Sequence, residues 1–181
     1  MANLDAPNGL SPIYRLGGGP IPSRAYEAGV TTAIFAGDLV KMKTSGRIIT
    51  ETTTTVAVDC IGVAVNYVAA ATTPATTVWV YDDPFTVFRV QSDGTTDPTA
   101  GTADSYIGNC GVAIITAGNT TTGRSKHEID YTSIQTTAPI TSHGLKILGW
   151  YKAANNDRAL AHADALVMVK NLWNLEAGFA E

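Results

Sequence analysis

The sequence predicts an all-β fold: an antiparallel β-sandwich or barrel of about eight to ten short strands, carrying an extended N-terminal arm. Three observations lead there. Apolar residues alternate with a period of two in several short runs. Those runs are rich in Val, Ile and Thr and are bounded by Gly, Asp, Asn or Pro. No helical period persists, and the one hint of helix, 157–165, is short.

The stretch 78–90 states the pattern most clearly and reads as strand, tight turn, strand. Val78, Val80 and Val87 alternate with Trp79, Tyr81 and Phe88. Asp82, Asp83 and Pro84 break the run, because proline lacks an amide donor and forces its predecessor into an extended conformation.

Taken in order, residues 1–24 hold four prolines and four glycines among Leu10, Ile13, Tyr14, Leu16 and Ile21. That composition excludes a helix and disfavours a regular strand. It is too apolar for a plain disordered tail. The segment reads as an extended arm that docks its apolar side chains, either on a partner or on its own domain. Gly17, Gly18 and Gly19 are not a phosphate loop, since no Lys-Ser/Thr pair follows.

Residues 25–171 read as the β-domain. A strand over 33–42 is interrupted at Gly37 and Asp38, turns at 44–47, and returns from Arg47 to Thr50. Thr52 to Thr55 suit an exposed β surface. The strand reading continues over 56–68, with Gly62 as a bulge or close contact. After a small-residue loop (69–77) and the 78–90 stretch comes a turn-rich loop, 91–105. Strands are then expected at 106–117, 126–134, 145–151 and 163–169, the last closing the sheet. Residues 172–181 form a tail containing Trp173.

Composition bounds the function. Only 15% of the 181 residues are charged, against roughly 25% in typical soluble domains. A largely neutral surface suits coverage by partners. The net charge of −4 leaves no basic footprint, so no nucleic-acid partner is expected. No apolar run approaches the roughly 20 residues of a membrane helix, and the N-terminus lacks the basic and apolar regions of a signal peptide; no membrane partner is expected. Cys60 and Cys110 each adjoin a short Val-Ala run and read as small strand residues, a cross-strand disulfide being the alternative.

The candidate chemical groups are sparse. Asp82 and Asp83 read as turn formers, since adjacent strand residues point to opposite faces. His162 and Asp164 would share one face of a strand, but two ligands are too few for a metal. The same holds for His127 with Glu128 and Asp130. Ser142 and His143 are neighbours without a nucleophile elbow. The sequon at Asn119 reads as a loop. Trp79, Trp150 and Trp173 suit core or interface packing, with a carbohydrate platform as the alternative. No enzyme, cofactor or metal is expected.

Three segments carry a resemblance. The first is 1–10, with its Pro/Gly arm. The second is the run from Phe35 to Lys41, the Ile61-to-Val65 strand and the Asp83-to-Gln91 strand. The third runs from Leu145 to Trp150, through Asn155, Asn156 and Asp157, to the strand 163–169 and Asn171. In this order they resemble the capsid cement, or decoration, proteins of tailed bacteriophages; the tail 172–181 departs from the pattern.

The resemblance implies a structural virion protein on the outer surface of the capsid. It would stabilise the shell by bridging major capsid protein subunits, as a homotrimer first and a dimer second. The expected contact residues are Leu10, Ile13, Tyr14, Leu16 and Ile21 of the arm and Trp173 of the tail. A tail or baseplate adaptor and a carbohydrate-binding β-module are the alternatives.

Overall fold

The computed structural model describes residues 3–29, 31–43, 45–51, 60–71, 76–94, 103–134 and 144–170. Within them the chain forms β1 (Ser11–Arg15), β2 (Arg24–Glu27), β3 (Leu39–Met42), β4 (Ile48–Thr50), β5 (Cys60–Ala64) and β6 (Thr77–Tyr81). It continues through β7 (Thr86–Gln91), a 3-10 turn (Ala103–Tyr106), β8 (Cys110–Ile114), β9 (Glu128–Asp130), β10 (Leu145–Trp150) and β11 (Asp164–Val169). Two sheets result, a six-stranded one in the order β1-β7-β11-β10-β8-β9 and a five-stranded one in the order β2-β6-β5-β3-β4. Neighbouring strands are antiparallel throughout both. The fold is an all-β sandwich. Among the described residues no helix is long and apolar enough to cross a membrane.

Period-two patterning builds the layer between the sheets. Ala165, Val167 and Val169 of β11 alternate inward with Leu145 and Ile147 of β10 and Phe88 and Val90 of β7. They meet Leu39, Cys60 and Val63 from the other sheet. A second apolar layer covers the opposite face of the five-stranded sheet. There Val40, Ile48, Ile61, Val78 and Val80 pack under Ala28, Ile34 and Val68. Ile34 and Val68 exchange both backbone hydrogen bonds, at 2.9 and 2.8 Å, which fixes that cover in place. Strand β5 is therefore buried on both faces along its whole length, which is why its sequence runs apolar without alternation. Gly62 sits where this crowding is worst: a Cβ there would lie 2.2 Å from Tyr81 O, so only glycine fits.

Several expectations change. Residues 1–24 contain an edge strand, β1, though an irregular one. β1 lies at the sheet edge, where a proline's missing donor is tolerated, and the register shifts between Pro12 and Tyr14. β6 and β7 do not pair with each other; the corner between them passes from one sheet to the other. Thr86, Val87 and Phe88 are all buried, so the two-fold alternation of burial in β7 begins only at Phe88. β11 does not close the sheet but lies inside it, between β7 and β10. β8 and β9 are shorter than expected. Cys60 and Cys110 stand on β5 and β8 and are not joined by a disulfide. Thr52 to Thr55, Ser142, His143, Asn171 and Trp173 lie outside the described residues.

Candidate functional site

The apolar residues expected to make contacts divide. Leu10 is buried in the core between the sheets, its amide donating to Gly37 O at 3.0 Å. Its apolar surface is spent within its own domain. Ile21 is half-buried. Ile13, Tyr14 and Leu16 remain 38%, 42% and 39% exposed on and beside the edge strand β1, and Phe85, 52% exposed, adjoins them. Leu16 N donates to Phe85 O at 2.9 Å, and the Arg15 guanidinium lies 5.9 Å from the Phe85 ring centre. The result is an apolar edge on a strand that, among the described residues, pairs on one side alone.

The Asp82-Asp83 corner holds that edge. Asp83 takes the guanidinium of Arg15 from β1 and the Phe85 amide at 3.0 Å. Burial raises the Asp83 carboxyl, but Arg15 and the Phe85 amide outweigh it and hold the group below its ordinary value. Asp82 turns the other way, accepting the Tyr26 hydroxyl at 2.6 Å and lying 3.3 Å from Arg24, both of β2. Burial, then the bond to Asp82, push the Tyr26 hydroxyl up to about 12. The turn reading of the pair holds, and each carboxylate also grips one of the first two strands.

A buried polar cluster lies elsewhere. Asp38, Glu51 and His127 are almost wholly buried and line one pocket of about 400 Å³. His127 Nδ1 accepts the Leu39 amide at 3.2 Å, which leaves the proton on Nε2, 3.3 Å from Asp38 Oδ1. Asp38 Oδ2 accepts the Phe35 amide at 2.9 Å and the Thr50 hydroxyl at 3.1 Å. Glu51 pairs with Lys41 at 2.9 Å. Burial pushes the imidazole's pKa down, against the opposing charges of Asp38 and Glu51. The imidazole thus bridges the Leu39 amide and the Asp38 side chain, and the cluster fixes the β3 entry. Sequence reasoning grouped His127 with Glu128 and Asp130. The structure instead turns His127 inward to Asp38 and leaves Glu128 on the opposite side of β9's alternation.

His162 and Asp164 do not share a strand face. His162 precedes β11 with a left-handed φ of 58°, and Asp164 faces Arg89 at 3.7 Å. His162 instead meets Glu128 and Asp5, with ligand atoms from the three lying within 4.8 Å of one another. The two groups that the sequence sets apart, His162 with Asp164 and His127 with Glu128 and Asp130, each contribute one member. The third, Asp5, was missed because nothing local in the sequence ties it to them.

The tryptophans are not gathered either. Trp150 is buried beside Tyr131, ring centres 5.5 Å apart, in the core cluster, whereas Trp79 is 47% exposed on the other sheet. No family model matches the chain, and no curated protein or solved structure is significantly similar to it.

Proposed function

We propose that this chain is a structural virion protein that decorates the outside of a bacteriophage head and stabilises the shell by bridging major capsid protein subunits. The observation that carries the reading is the solvent-facing apolar edge of Ile13, Tyr14, Leu16 and Phe85. It stands on a domain with few charges, in the segment whose sequence resembles the cement proteins. An unpaired edge strand offers backbone donors and acceptors as well as apolar area, and a partner strand or loop can use both. Docking there needs no catalytic group. It stabilises the assembled shell by mass action, because the protein binds the shell and not its separated parts. A homotrimer on three-fold positions would multiply a weak contact through avidity, with a dimer on two-folds as the second arrangement.

The test is shell stability. Heads lacking this protein should open at lower temperature than heads saturated with it, and adding the purified protein should restore the difference. Equal opening temperatures with and without bound protein would reject the stabilising role.

A further inference from the structure

We propose that Asp5, Glu128 and His162 form a binding site for a divalent cation of the zinc class, which staples the N-terminal segment to the sandwich. The inference is independent of the capsid reading.

Three remote segments converge there. Glu128 comes from β9, His162 from the turn before β11, and Asp5 from the stretch ahead of β1. Their candidate ligand atoms lie within 4.8 Å of one another. Donors around a tetrahedral zinc ion sit about 3.4 Å apart, so closing the set shortens these separations by at most about 1.4 Å. Asp5 is the exposed member of the set.

Among the described residues few other groups neutralise or hold these three side chains. Among the described residues the buried Nδ1 atom of His162 has no hydrogen-bond partner, and Asp5 Oδ1 is 3.8 Å away. Among the described residues no lysine or arginine pairs with Asp5 or Glu128. The two carboxylates repel, and Asp93 adds to the negative field at Glu128. A bound cation relieves that repulsion directly.

The surroundings keep the imidazole in place. Gly94 lies against the ring, where a Cβ would come within 2.6 Å of it, and has a φ of 72° that favours glycine. Gln91 holds the turn by donating to His162 O at 3.2 Å and to Leu4 O at 2.8 Å. Asn3 caps the same turn through Asp157 and Ala161 at 2.8 and 2.9 Å. The N-terminal segment is thus already laid beside His162, and an ion would add the closing contact.

One imidazole nitrogen with two carboxylate oxygens matches zinc's N/O preference, while calcium prefers oxygen alone. The fourth position would be open to water or to a partner's side chain.

The experiment is calorimetric titration of the full-length, metal-free protein with Zn²⁺ and, separately, with Ca²⁺. It is repeated on Asp5→Asn, Glu128→Gln and His162→Ala, with circular dichroism to confirm the fold. The expected result is saturable binding of one Zn²⁺ per chain, preferred over Ca²⁺, and a rise in Tm that EDTA reverses. Each variant should lose about tenfold or more in Zn²⁺ affinity. Asp5 is exposed, so its variant keeps the test sound if another fails to fold. No saturable Zn²⁺ binding, a preference for Ca²⁺, or Zn²⁺ affinity unchanged in the folded variants would overturn the proposal.

Discussion

The Nε2 of His127 lies 3.3 Å from Oδ1 of Asp38, with both side chains only 2% exposed. The imidazole reaches this position from β9's approach, while Asp38 stands at the entry to β3, so the pair ties two sheets together. Truncation of His127 to alanine leaves the Leu39 amide and the Asp38 carboxylate facing a cavity. The expected cost is about 2–3 kcal/mol in denaturant unfolding. The pair also sets an acid response. The folded pKa of His127 is lowered from 6.5. Below pH 6.5 the unfolded chain therefore binds a proton that the folded chain resists. This contribution is complete above that pH and lost as the pH falls beneath it. The variant His127→Gln should show a flatter decline in Tm between pH 6.5 and 5.

Glu128 behaves oppositely. Burial, with Asp5 and Asp93, raises its carboxyl from 4.5 to about 7, His162 opposing. The folded state then holds the proton more tightly than the unfolded state. Stability from this group is full below 4.5 and falls as the pH rises to about 7. In metal-free protein at pH 8, Glu128→Gln should therefore stabilise, by about 1 kcal/mol once solvent screening of a half-buried group is allowed for. A thermal unfolding series across pH 4 to 8 checks the sign: the two proteins should converge at the acid end.

Gly62→Ala tests the packing of β5. The added methyl would meet Tyr81 O at 2.2 Å on a strand buried on both faces. Relief requires β5 and β6 to part. The expected loss is about 3 kcal/mol, read as a lower urea midpoint.

The corner carboxylates should separate by strand. Asp83→Asn weakens the hold on Arg15 and hence on β1, whereas Tyr26→Phe removes only the bond to Asp82 from β2. Each should cost about 1 kcal/mol. Amide exchange should quicken in β1 for the first and in β2 for the second.

Much of the fold was legible because period-two patterning and turn residues act locally. The runs around Leu145 and Val167 and the turn at Gly46 needed no long-range information. β1 was not legible, because Pro12 argues against a strand everywhere except at an edge, and edge position is a property of the whole sheet. The Asp82-Asp83 corner was read correctly as a turn, yet its change of sheet depends on β1 and β2, far away in sequence. The polar cluster and the Asp5–Glu128–His162 set escaped for the same reason. Their members sit on different elements with no fixed spacing, and Asp38 looked like an interruption rather than a buried acceptor.

The account rests on the exposed edge of β1. Deleting residues 1–24 would remove a sheet strand and the buried Leu10, so point changes make the sharper test. The measurement is co-sedimentation of purified protein with heads lacking it, comparing the natural chain with Tyr14→Asp and Leu16→Asp, both at half-exposed positions that leave the core intact. Saturable binding by the natural chain and at least about tenfold weaker binding by each folded variant are expected. Binding by both variants as tight as the natural chain's, or no binding by the natural chain, would contradict it.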